Sequence, residues 1–300
     1  MFDWDDLRVF LATARGGSFA AAGVRLGMDA TTVGRRIQRL ERALETTLFI
    51  RSPQGLRLSA SGARLQETGL SVERAVDVAR EADADGQVTG AVRISASEGF
   101  GGHVLGGELH ALLRRRPGLS IELVANPGFL SPSTREVDMA ITLSPPRSAR
   151  LVVERLTDYE LCLYGSRSYL RAAGRPQRLA DLDAHQFVGY IDDLIYAPEL
   201  RYLDEIRPGL RPRATSSSIR AQQSLIRSGA GLGVLPYFMA ADEPDLVRVL
   251  KDDVVLRRTF WLSVNQDLNA NSRIRVFRQW LIDLVARRQG LFRSSTQPIE

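Results

Sequence analysis

The chain has 300 residues, 44% of them apolar, more than one core usually organises, so a folded protein of two or more domains is predicted. A net charge of +5, from 40 basic and 35 acidic residues, favours a polyanionic partner without identifying it, and the lone Cys162 excludes an intrachain disulfide and any multi-cysteine metal site. Asp3, Asp5 and Asp6 stand where an export signal would carry positive charge, and no stretch approaches about 18 uninterrupted apolar residues, so a cytoplasmic protein with no membrane partner is expected.

From Trp4 the chain reads as short helices joined by tight turns. Leu7, Phe10, Leu11 and Ala14 recur at three- and four-residue spacing, as an amphipathic helix requires, and Gly16 and Gly17 end it. Ser18 caps a second helix through Ala20, Ala21, Ala22 and Leu26, stopped by Gly27. Asp29 caps a third, in which Val33, Ile37, Leu40 and Leu44 form one apolar stripe while Thr31, Thr32, Arg35, Arg36 and Arg39 project elsewhere. Two helices joined through a glycine-containing turn make a helix-turn-helix candidate. Residues 48–50 and 56–58, joined across Ser52, Pro53, Gln54 and Gly55, read as a strand hairpin, the wing. Residues 59–85 lack proline and set Leu65, Gly69, Val72, Val76 and Ala79 at steps of four, three, four and three, the heptad seam of a pairing helix; Gly69 weakens that seam or permits close backbone approach.

Beyond Gly86 short apolar strands alternate with helices. Strands are predicted over 92–97, 120–124, 138–143, 151–156, 160–164, 186–191, 233–235 and 260–264, and helices over 102–115, 166–172, 218–227 and 271–288. Such alternation predicts an α/β arrangement with mainly parallel sheets.

The third helix offers hydroxyls first and arginines a turn later. That order suits a helix entering the major groove by its N-terminus, with Thr31 and Thr32 near base edges and Arg35 and Arg36 near guanine or phosphate, while Arg51 and Arg57 on the wing meet the DNA backbone. Residues 30–60 hold six arginines against two glutamates, a far more one-sided charge than the whole chain carries. The plainer reading is a solvated amphipathic helix whose Arg39 and Arg42 pair with nearby glutamates; the following wing and pairing helix weigh against it, because a two-fold dimer is what palindromic half-sites require.

Leu7-Arg-Val-Phe10, Gly17-Ser-Phe-Ala-Ala-Ala22, Val33-Gly-Arg-Arg-Ile37, Leu40-Glu41, Leu48-Phe-Ile-Arg51 and Leu58-Ser59 with Gly62 together resemble the LysR-type transcriptional regulators, densely over the first 65 or so residues and more loosely to the C-terminus. The resemblance implies a winged helix-turn-helix over 1–60, a linker and dimerisation helix over 61–87, and an α/β, two-lobed, periplasmic-binding-protein-like effector domain over 88–300. Its first lobe would be 88–161 and 266–300, its second 162–265. A homodimer or homotetramer on double-stranded DNA, modulated by a small-molecule effector, is the implied assembly. The family's DNA-contacting positions map to Ala30, Thr31, Thr32, Gly34, Arg35 and Arg51; Ala30 stands where glutamine is common and Gly34 where serine is, so the operator sequence does not carry over.

Ligands of two-lobed α/β domains bind where helix N-termini present unpaired N–H groups. Two places fit: the end of the strand at Ser97-Glu98-Gly99, and the Thr215-Ser216-Ser217-Ser218 run that opens a helix. Both offer donors suited to a small carboxylate, although the same serines serve equally as helix caps. Glu98 at the entrance would repel an anion, leaving an amine-bearing or zwitterionic ligand open. Ser97, Pro127, Thr142 and Ser218 fall near the pocket implied by the resemblance. No cofactor or metal is expected. Gly99-Phe-Gly-Gly lacks the third glycine of a dinucleotide fingerprint, Gly229-Ala-Gly-Leu-Gly233 follows a helix instead of a strand, and His103 and His110 are too far apart for one metal. No catalytic residue is assigned: no Gly-x-Ser-x-Gly elbow occurs, so an enzyme with a DNA-binding appendage has no support, and the N-terminal 85 residues speak against a solute-binding protein.

Overall fold

The structure is a computed structural model describing residues 3–52, 55–66, 68–70, 72, 88–125, 130–134 and 136–294. It divides into two compact units, residues 1–86 and 87–300.

In the first unit, α1 (Trp4–Gly16), α2 (Phe19–Leu26) and α3 (Ala30–Ala43) precede a hairpin of β1 (Phe49–Ser52) and β2 (Gly55–Leu58). Each helix carries its own start signal: Asp3 accepts from the Asp5 amide, Ser18 from Ala21, and Asp29 from Thr32. Gly17 and Gly27 close α1 and α2 in the left-handed conformation, at φ of 65° and 66°, which glycine adopts without steric cost. Val33, Ile37 and Leu40 of α3 meet Leu7, Phe10 and Leu11 of α1 in one core, where Phe10 packs on Phe49 at a centroid distance of 5.3 Å. The hairpin is tied down by the Leu56 amide, which donates to the Gly17 carbonyl at 2.9 Å.

The linker helix is described over 60–66, 68–70 and at 72. Leu65 packs on the core of its own unit, and Gly69 lies so close to α1 that a Cβ there would meet Leu7 and Leu11 side chains at 3.1 and 3.2 Å. Gly69 thus lies against α1 of its own chain; Val72 is exposed, and Val76 and Ala79 lie outside the described residues.

The second unit is built on a nine-stranded sheet of β3 (Gly90–Ala96), β4 (Leu119–Ala125), β5 (Met139–Thr142), β6 (Leu151–Ser166), β7 (Phe187–Gly189), β8 (Ala214–Thr215), β9 (Leu232–Pro236), β10 (Leu246–Arg248) and β11 (Val255–Asn265). Its order is β4-β3-β5-β11-β6-β9-β7-β8, with β10 also on β6. The sheet is mixed where mainly parallel pairing was expected. Parallel groups β4-β3-β5 and β9-β7-β8 are joined by the long antiparallel pair β6 and β11. β6 is one strand of 16 residues, where the sequence predicts two, because its polar middle is satisfied within the ladder: Thr259 on β11 donates its hydroxyl to Asp158 at 2.8 Å. A bulge between Phe260 and Trp261 divides β11, so that Trp261–Val264 pair with β5 while Val255–Leu256 lie on the far half of β6. The two lobes thus communicate through two continuous strands.

The helices include α4 (Gly106–Arg115), which continues a π-helical stretch at Phe100–Leu105, α5 (Arg167–Ala173), α6 (Leu203–Ile206), α7 (Ile219–Arg227), α8 (Tyr237–Ala240), α9 (Ser272–Arg287) and α10 (Gln289–Phe292). Ser166, Ser218 and Asn271 cap α5, α7 and α9, so those serine and asparagine signals mark helix starts.

Candidate nucleic-acid interface and effector cleft

On α3 the residues expected at DNA separate into two sets. Ala30, Thr31 and Arg35 are exposed, and Arg35 forms no hydrogen bond or ion pair among the described residues. Gly34 is half-buried beside the Phe19 ring, with an added Cβ at an ordinary 3.6 Å, so the serine common in the resembled family would fit. Thr32 is committed to the cap: its amide and hydroxyl donate to the two Asp29 oxygens at 2.8 and 2.7 Å. Those bonds, the hydroxyl of Thr32 first, hold the Asp29 carboxyl down at about 2.

Arg36 and Arg39 turn toward α1. Arg36 pairs with Asp5 and reaches Asp6 at 3.6 Å, and Arg39 donates from Nε to Asp6 at 2.5 Å and from Nη2 to both Asp6 and Asp3. Asp6 is 1% exposed, so this carboxylate is a buried counter-charge, and its hydrogen bond raises the Arg39 guanidinium further. The partners of Arg39 are therefore aspartates of α1, not nearby glutamates of its own helix. Glu41, unassigned by sequence reasoning, accepts from the Leu48 and Phe49 amides at 2.6 and 3.3 Å and so fixes where the wing begins. The Leu40-Glu41 pair is visible in the sequence, but its partner amides are not.

Arg51 and Arg57 are both exposed. The register pairs Ile50 with Arg57 and Arg51 with Leu56, and side chains alternate across a strand, so the two arginines leave opposite faces of the hairpin. They cannot contact one phosphate strand through a single face.

In the second unit the expected effector residues converge only in part. Ser97 and Glu98, at the end of β3, line a cleft of about 30 Å³ with Ser217 and four tyrosines, Tyr159, Tyr190, Tyr196 and Tyr202. Thr142 lines a neighbouring cleft of about 250 Å³ that shares Tyr196, and its hydroxyl donates to the Ser144 carbonyl at 2.7 Å. Ser216 lines neither; its hydroxyl accepts from the Ser218 amide at 3.1 Å. Pro127 lies outside the described residues.

Glu98 does not stand free at an entrance. Its Oε1 accepts from the Ser218 hydroxyl at 2.9 Å and its Oε2 from the Ile219 amide at 3.1 Å, while Ser218 also accepts from Ala221 as the cap of α7. The anion position at this helix N-terminus is thus filled by a side chain from the other lobe. The tyrosines are held neutral: burial raises Tyr159, Tyr190 and Tyr202, and lifts Tyr196 to about 12. The tyrosines were missed because they come from β6, the residue after β7 and a loop, and show no common spacing. Among the described residues no cluster of histidine, cysteine or carboxylate side chains could hold a metal ion, and no helix is long and apolar enough to cross a membrane.

Comparison with known proteins agrees with both halves. Residues 4–63 match the model for bacterial regulatory helix-turn-helix proteins of the lysR family, and residues 85–286 match the LysR substrate binding domain. The mau operon transcriptional activator of Paracoccus denitrificans is 28% identical over 286 residues, covering 95% of this chain and 97% of its own. The structure of CrgA, a LysR-type transcriptional regulator from Neisseria meningitidis, is 24% identical and matches with a TM-score of 0.59 over 94% of this chain and 99% of its own. That of ArgP from Mycobacterium tuberculosis, 16% identical, matches with a TM-score of 0.70 over 98% and 100%. A winged helix-turn-helix followed by a two-lobed substrate-binding domain, matched by family models over most of its length, places this chain in the LysR family of bacterial transcriptional regulators.

Proposed function

We propose that α3 reads base edges with Thr31, Arg35 and the small surfaces of Ala30 and Gly34, while Arg51 and Arg57 hold phosphates on either side of the wing. The observation carrying this reading is the contrast between Arg35, exposed and without a protein partner among the described residues, and Arg36 and Arg39, braced on the α1 carboxylates. Arg36, Arg39 and Thr32 contribute by fixing the angle of the reading helix, with the exposed half of Arg39 within the positive field that DNA meets.

The working organisation is a DNA-binding unit over 1–60, a dimerising linker over 61–87 and an effector domain over 88–300. Within that domain the lobes 88–161 with 266–300 and 162–265 exchange strands at the Phe260/Trp261 bulge. The protein acts as a cytoplasmic homodimer or homotetramer, a small molecule between the lobes alters operator binding or bending, and no enzymatic step is involved; support comes from relatives that are regulators over nearly their whole length. In a mobility-shift titration, Arg35→Ala is expected to weaken cognate-operator binding by about 1–3 kcal/mol with a smaller loss on random duplex. Equal losses on both duplexes would make Arg35 a phosphate contact, and unchanged binding would remove it from the interface.

A further inference from the structure

We propose that the ligand of the tyrosine-lined cleft carries a primary ammonium group, bound against Glu98. The inference rests on the effector reading above and adds the charge and hydrogen-bonding character of the head group.

Four of the chain's seven tyrosines line this cleft, together with Phe238 and Phe260. Tyr159 stacks on Phe260 at 4.1 Å, and Tyr190 and Tyr202 meet edge-on at 6.1 Å. Aromatic faces present negative potential to a cation, an attraction that strengthens when water is excluded. Among the described lining residues Glu98 is the only charged one, and none is an arginine or lysine. The nearby guanidinium of Arg258 is committed to Glu205 at 2.5 Å. Glu199, beside the lining residue Leu200, accepts from the Ser144 hydroxyl at 2.5 Å and keeps its other oxygen buried without a partner.

A carboxylate ligand would meet the opposite of what it needs. The donors at the start of α7 are already taken by Glu98, and a second carboxylate would face the first across a poorly solvated gap. An ammonium meets acceptors. Each Glu98 oxygen uses one lone pair and retains another, and the hydroxyls of Ser97 and Ser217, which line the same cleft, have no partner among the described residues. An R–NH₃⁺ group brings three donors, which these four acceptors can all satisfy. The adjoining cleft of about 250 Å³, sharing Tyr196, has room for the rest of the molecule.

The test uses isosteric probes on the full chain: propylammonium, propanol and propionate at matched concentration and ionic strength, read by thermal shift and titration calorimetry, with operator binding measured in parallel. Propylammonium is expected to raise Tm and the other two are not. Glu98→Gln should weaken propylammonium binding about tenfold or more, and Tyr190→Leu, which removes the aromatic face while keeping an apolar side chain, about threefold or more. Propionate binding in place of propylammonium would overturn the cation while leaving an effector site. If none of the three binds, the proposal fails, and intact operator binding would show that the regulator reading does not fail with it. Binding of propylammonium that neither variant weakens would also overturn it.

Discussion

Cys162 lies in β6 with no exposed surface, and burial pushes its thiol from the ordinary 9.0 up to about 11. Since the thiolate is the reactive form, that rise and the lack of exposed sulfur both slow its reaction near neutral pH. The native chain should therefore react with an aromatic disulfide reagent at least about a hundredfold more slowly than free cysteine, and at the ordinary rate once unfolded in urea. Rapid modification of the native protein, followed as thiolate release, would contradict this placement. Arg35 and Arg36 show what a residue-scale reading of sequence can and cannot reach. Consecutive helical residues point about 100° apart, so one arginine of the pair had to leave the other's surface. Which of them pairs within the protein depends on Asp5 and Asp6, some thirty residues earlier, and no local pattern carries that information. The lone aspartates of α1 read as evidence against export; their use as a buried brace needs α1 and α3 side by side.

The helix caps were legible because cap and helix are adjacent in the chain: Ser18, Asp29 and Ser218 each bond an amide three residues ahead. The seam was legible only as a period. Leu65 and Gly69 repeat as a pairing helix should, and within the chain Leu65 packs on the core of its unit while Gly69 lies against α1, since periodicity states that a face is apolar and not what covers it. The same held for β6, whose Thr157 and Asp158 look like a strand break until β11 supplies their partners. Gly62 makes the consequence testable for the junction between wing and linker. Its amide donates to the Ser59 hydroxyl at 2.9 Å, and a Cβ would be driven against the Leu48 carbonyl oxygen, which already accepts from the Ser59 amide at 2.9 Å. The obstacle is backbone held by the hairpin, so it cannot swing aside. Gly62→Ala is expected to destabilise the N-terminal unit by about 1–3 kcal/mol, as overpacking typically does, read as a lower urea midpoint with reduced operator affinity. An unchanged midpoint would mean that the linker helix can shift away from the wing at little cost.

At the scale of the whole effector unit, the arrangement of the lobes depends on few connections. β6 and β11 cross between the parallel groups, and the bulge at Phe260/Trp261 gives that crossing a place to bend. Spanning the cleft is Glu98, which follows β3 in one lobe and accepts from Ser218 and Ile219 of the other, 120 and 121 residues later. Charge-assisted bonds of this kind contribute roughly 1.5–3 kcal/mol each when buried, less when half-exposed as here, so their loss shifts the lobes toward an open population without unfolding either. Glu98→Ala should therefore leave the sheet intact while the Ile219 amide, which loses its acceptor, exchanges with solvent about tenfold faster or more. The amides of Leu163 and Val234, set in the β6–β9 ladder, should retain their protection. Hydrogen exchange resolved to single amides checks both halves: faster exchange throughout β9 would mean that the lobe itself is unfolding, and unchanged exchange at Ile219 would mean that Glu98 does not hold the cleft together.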